Sequence, residues 1–136
     1  MGWSLTVQCF EHGTFSTFPR SIAWNVFGPY ANPAAFSGWD LRFPDGSKGH
    51  LSMDDDILVD GFGFDRPSGL ALYEAIFAVL SRVPAIMIWL EDGRCAIADR
   101  SVLSGIPQWL LNALPPPAIV DSGQSILDYL ERSAGG

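Results

Sequence analysis

The side chains suited to catalysis or metal binding are few. Cys9, His12, His50 and Cys95 are the only thiols and imidazoles among the 136 residues. Cys9 and His12 have the C-x-x-H spacing of half a zinc site, but structural zinc needs a second close pair and none follows. Asp54, Asp55, Asp56 and Asp60, followed by Gly61, suggest calcium, which takes oxygens from alternate positions of a loop. The sixth place of that loop would be Val59, where glycine is required, and the twelfth would be Asp65 instead of glutamate. Gly61-Phe62-Gly63 opens like a dinucleotide-binding turn, yet Arg66 stands where the third glycine belongs and Pro67 follows it. A thiol nucleophile would be Cys9, with His12 or His50 as its base. Cys9 lies in an alternating apolar stretch, so it is expected to be a small buried hydrophobe and not a thiolate. The expectation is two reduced cysteines, no metal, no cofactor and no enzymatic activity.

Charge is the stronger signal. Fifteen acidic residues against eight basic ones give a net charge of −7. From Asp40 to Asp65 the chain carries seven aspartates against Arg42 and Lys48, a net −5 with His50 neutral. Such a surface repels phosphate backbones, so nucleic acid is not an expected partner. A basic protein or a cation is the expected kind; the plain alternative is an acidic loop that serves solubility. Interfaces combine aromatic anchors with charged rims, and aromatic residues accompany these acids. The candidate partner-binding residues are therefore Trp39, Asp40, Asp54, Asp55, Asp56, Asp60, Phe62, Phe64 and Asp65. Gly61 and Gly63 are expected to let the two phenylalanines sit on an exposed, irregular edge. Trp89 marks a second candidate face.

The elements that must position these residues centre on Pro67 to Asp99. Pro67 and Ser68 suit a helix start, and Pro84 stops it. Between them, Leu70, Tyr73, Phe77 and Leu80 form one apolar stripe and Leu72, Ile76, Val79 and Val83 another. The spacing predicts a helix over 70–82, covered on more than one side. Asp92-Gly93 between two apolar runs predicts a β-hairpin over 85–98. Pairing Glu91 with Arg94 puts Ile86, Ile88, Leu90, Cys95 and Ile97 on one face, the expected bed of the helix, and Met87, Trp89, Ala96 and Ala98 on the other. Upstream, strands are expected over Trp3–Phe10, Trp39–Phe43, Gly49–Met53 and Ile57–Phe64, with a turn at Pro44-Asp45-Gly46. Downstream come a short turn capped by Asp99, a helix over Pro107–Leu114 burying Trp109, Leu110, Ala113 and Leu114, and a short strand at Ala118–Val120. A last helix over Gly123–Arg132 is capped by Asp121 or Ser122. Elements mixed in this order predict one α+β domain over 1–136, with a mostly antiparallel sheet, a buried central helix and a C-terminal helix. No apolar run approaches the ~20 residues of a membrane span, and no basic region precedes the first apolar stretch as a signal peptide would require. A cytoplasmic protein is expected.

The segments Gly61–Pro67 (GFGFDRP), Ala71–Leu80 (ALYEAIFAVL), Pro84–Trp89 (PAIMIW) and Cys95–Pro107 (CAIADRSVLSGIP) resemble the small immunity proteins that bacteria encode beside polymorphic or contact-delivered toxins. The resemblance implies a cytosolic antitoxin, monomeric or a small homo-oligomer, that occludes the active site or substrate-binding surface of a cognate toxin. Two other classes stand beside it: a small enzyme with an Asp- or Cys-based site, and a structural subunit of a larger assembly.

Overall fold

The computed structural model describes residues 4–135, with side chains described through Arg132; the expected strand start at Trp3 lies outside them. The elements in order are β1 (Ser4–Glu11), β2 (Thr14–Phe15), β3 (Phe18–Pro19), α1 (Arg20–Phe27), β4 (Ala31–Pro33), β5 (Trp39–Arg42), β6 (Lys48–Ser52), β7 (Leu58–Val59) and β8 (Gly61–Ser68). Then follow α2 (Leu70–Leu80), β9 (Ala85–Trp89), β10 (Cys95–Ile97), a 3-10 helix (Arg100–Gly105), α3 (Gln108–Ala113), β11 (Ala118–Ile119) and α4 (Gly123–Gly135). The main sheet runs β11-β10-β9-β1-β8-β6-β5-β4, with β2 paired to the end of β1. Every pairing along it is antiparallel except β10 with β11. The chain is thus a single α+β domain with a mostly antiparallel sheet.

Strand alternation divides the sheet into two faces. Leu5, Val7, Cys9, Leu41, Leu51, Phe62, Phe64, Met87, Trp89 and Ala96 point inward to a core shared with Leu72, Ile76 and Val79 of α2, Phe27 of α1 and Ile126 of α4. Helix α2 is therefore covered by the sheet on one side and by α1 and α4 on others, as its all-round apolar character requires. Its best-buried stripe is Leu72, Ile76 and Val79, which Val83 continues beyond the helix end, whereas Phe77 is only partly buried.

The hairpin expectation is corrected in two respects. Cys95 pairs with Ile88 and Ala96 with Met87, so the register is displaced by two residues and the loop is longer than with Glu91 opposite Arg94. A shift of two leaves each side chain on its expected face, because the strand period is two. The bed of the helix is the opposite face from the one expected. Met87, Trp89 and Ala96 meet α2, while Ile86, Cys95 and Ile97 join Phe10 in a second cluster roofed by Val102 and Ile106.

The start of α2 is corrected too. Pro67 and Ser68 end β8, and Gly69 turns the chain at φ +98°. The cap comes from far upstream: the Ala71 N–H donates to Asp45 Oδ2 (3.1 Å) and Ser47 Oγ (3.0 Å). Those two residues belong to the turn joining β5 to β6, and Ser47 is buried. At the other end, Asp99 accepts from the Ser101 N–H at 2.8 Å to start the 3-10 helix, and Ser122 accepts from the Ser125 N–H at 3.0 Å to start α4. Helix α3 forms but does not bury Trp109, which is 63% exposed, nor Ala113; Leu110, Leu111 and Leu114 carry its packing instead.

Candidate functional site

The ten candidate partner residues fall into separate groups. Phe62, Phe64 and Trp89 are 5%, 1% and 1% exposed, so none of them can anchor a partner. Period two explains the phenylalanines: with Gly61 and Gly63 on the outer face, Phe62 and Phe64 must point inward, where both meet the Phe27 ring edge-on. Gly61 serves close approach instead of looseness, since a Cβ there would lie 1.9 Å from the Val7 carbonyl oxygen. Trp89 lies at the base of an open cleft of about 360 Å³ between the end of β8 and α4, lined also by Tyr73, Arg94, Leu127 and Leu130.

Asp54, Asp55, Asp56 and Asp60 are exposed and lie on the segment that leads into and out of β7. Their apolar company is Ile57 and Leu58, 87% and 54% exposed. Arg20, first residue of α1, organises this edge. Its Nε–H donates to the Asp54 carbonyl at 2.8 Å, its backbone N–H donates to the Ile57 carbonyl at 2.8 Å, and its guanidinium stands 3.8 Å from Asp55 Oδ1. The same guanidinium lies 4.7 Å over the Trp24 ring and 5.4 Å from the Trp39 ring. Trp39 is half-buried in this stack, 5.1 Å from Trp24. The Arg20–Asp55 pair is too exposed to stabilise much; the two bonds to backbone carbonyls are what fix the loop. Sequence reading missed Ile57 and Leu58, although their position between acids was visible.

Asp40 and Asp65 stand elsewhere, on the open outer face of β5, β6 and β8. Asp40 pairs in register with His50, His50 with Asp65, and Asp65 with Ser4, which makes one row across four strands. Within it His50 Nδ1 lies 3.1 Å from Asp40 Oδ1, and Ser4 Oγ donates to Asp65 Oδ1 at 2.8 Å. Beside the row lie Arg42, Lys48 and Arg66, and together these residues line a concavity of about 640 Å³.

Comparison with known protein families, curated proteins and solved structures finds no match for this chain. The site geometry is what bears on function.

The thiols are poor candidates for chemistry. Cys9 and Cys95 are both free and buried. Burial pushes each up to about 11; at Cys9 the Glu11 and Asp60 charges add to the rise and a Ser16 hydrogen bond opposes it. Among the described residues no three His, Cys, Asp or Glu side chains gather as a metal site would require, and no helix is long and apolar enough to cross a membrane. The native protein is expected to resist iodoacetamide at neutral pH, because the reactive thiolate is suppressed, and to label fully in denaturant. The folded thiols titrate above the ordinary value of 9.0, so their contribution to stability is complete below that pH and lost as pH rises toward about 11. Rapid labelling of the native protein, or stability constant across that window, would contradict the assignment.

Proposed function

We propose that this chain is a cytoplasmic immunity protein that binds a basic bacterial toxin domain and occludes its active site or substrate-binding surface. The observation that carries this reading is the acidic edge at residues 54–60. Ile57 and Leu58 stand exposed between Asp54, Asp55 and Asp56 on one side and Asp60 on the other, on a loop held by Arg20 before any partner arrives. Exposed aliphatics within a charged rim are the make-up of an interface, and a preordered loop loses little entropy on binding. The acids steer a basic partner and the aliphatics are desolvated on contact. The resemblance to toxin-immunity proteins supplies the kind of partner.

The test co-expresses the chain with the product of the adjacent reading frame in a sensitive bacterial host, and then measures association of the purified pair at two ionic strengths. Protection is expected from the wild type. The Asp55→Lys, Asp56→Lys, Asp60→Lys triple variant is expected to associate about tenfold or more slowly, and added salt to slow the wild type in the same direction. A harmless neighbour product, failure of the wild type to protect, or an unchanged association rate in the triple variant would refute the reading.

A further inference from the structure

Arg42 and Lys48 are register partners on β5 and β6, directly opposite each other on the outer face. Like charges so placed destabilise a sheet unless something lies between them. A third cation is brought to the same place by irregular backbone. The register between β6 and β8 shifts around Lys48 and His50, so that Arg66 and Pro67 lie opposite Gly49 alone. Such a bulge re-aims a side chain, and Arg66 holds φ +53°, a left-handed conformation unusual for a residue with a Cβ. Gly49 fits the crowded inner side of this bulge, since a Cβ there would lie 3.0 Å from Leu72 and 3.1 Å from Phe64. Asp65 and Arg66, neighbours in the chain, thus both line the one concavity.

The outcome is unusual for so acidic a protein. Three of its eight basic residues line one hollow, and among the described residues the side chain of none of the three makes an ion pair or hydrogen bond. The neighbouring row is built oppositely. Asp40 and Asp65 each have one oxygen engaged, by His50 and Ser4 respectively, and among the described residues Oδ2 of each makes no hydrogen bond. Three cations without an ion-pair partner call for an anion with several oxygens, and arginine forks match phosphate geometry. Two carboxylates with free oxygens, a short distance along the same hollow, accept hydroxyl groups and reject a second anionic group.

We propose that the concavity of Ser4, Asp40, Arg42, Lys48, His50, Asp65 and Arg66 binds a small phosphorylated polyol. Its phosphate lies on Arg42, Lys48 and Arg66, and its hydroxyls donate to Asp40 and Asp65. This site is separate from the acidic edge and does not rest on the immunity reading.

Calorimetric titration at low salt with ribose 5-phosphate, inorganic phosphate and ribose tests it. Ribose 5-phosphate is expected to bind saturably, inorganic phosphate more weakly, and ribose not at all. The Arg42→Gln, Lys48→Gln double variant is expected to weaken ribose 5-phosphate by about tenfold or more. Asp40→Asn, Asp65→Asn is expected to weaken ribose 5-phosphate relative to inorganic phosphate, whose own binding should hold or tighten because two negative charges leave the hollow. Thermal denaturation guards against misfolding, and removing an uncompensated like-charge pair should leave the melting temperature of the Arg42→Gln, Lys48→Gln variant equal or higher. The proposal is overturned if ribose 5-phosphate gives no saturable heat, if inorganic phosphate binds as tightly, or if the folded variants bind as the wild type does.

Discussion

Phe64→Ala is expected to destabilise the fold by about 3–5 kcal/mol, the range for deleting a fully buried aromatic ring. Phe64 is among the largest fully buried side chains, stands edge-on to Phe27 at 5.2 Å and to Phe62 at 6.0 Å, and lies on β8 between β1 and β6. The cavity would open where the sheet meets α1 and α2, and rigid strands on both sides leave little room to collapse into it. Urea denaturation reads the effect directly. A loss below about 1 kcal/mol, the ordinary scale of unselected substitutions, would mean that the ring is not in the core, and the exposed-edge placement of Phe62 and Phe64 would return.

Gly61→Val is expected to be as damaging, for a different reason. An added Cβ would meet the Val7 carbonyl oxygen at 1.9 Å, and that oxygen belongs to the backbone of the central strand, with pairs on both sides. Overpacking costs about 1–3 kcal/mol where side chains can yield; here backbone would have to yield, so the loss should reach or exceed the upper figure. Gly63, two residues along on the same face, is the internal control. Its Cβ would lie 3.3 Å from the Leu5 carbonyl oxygen, so Gly63→Ala requires a shift of a few tenths of an ångström only. Thermal melts of Gly61→Val and Gly63→Ala should therefore differ widely. Equal melting temperatures would refute the close approach.

Periodicity carried the elements further than it carried their surroundings. The apolar stripes of α2 and the two faces of the hairpin were legible because side-chain direction repeats with the backbone, and a register slip of two left it unchanged. Which hairpin face would receive α2 was not legible: both faces are apolar, and the choice depends on the 3-10 helix and α3 arriving later to cover Ile86 and Ile97. The cap of α2 was hidden for a related reason, since Asp45 and Ser47 are distant in sequence and only the β5–β6 turn brings them to Ala71. Ser68, adjacent in sequence, was the natural local choice. Two glycines beside Phe62 and Phe64 read as looseness, when one of them, Gly61, has no room for a Cβ against the Val7 carbonyl. At the polar concavity, alternation in Trp39–Arg42 placed Asp40 and Arg42 together, but the bulge that adds Arg66 leaves no simple mark in the sequence.

The place of β1 in the sheet governs the timing of assembly. Leu5 pairs with Phe64 on one side and with Trp89 on the other, so the earliest strand in the described chain lies at the middle of the finished sheet. Hairpins such as β5–β6 close locally and fast, whereas β1 needs partners from two later regions, and contacts of long sequence separation slow folding. During synthesis β1 therefore leaves the ribosome with both edges open over Ser4–Gln8 and holds Leu5 and Val7 without a complete core until Trp89 has followed. An unpaired apolar strand in that interval is the segment most exposed to wrong pairing between nascent chains. A folding helper acting on this protein would have its greatest effect there, before β9 docks.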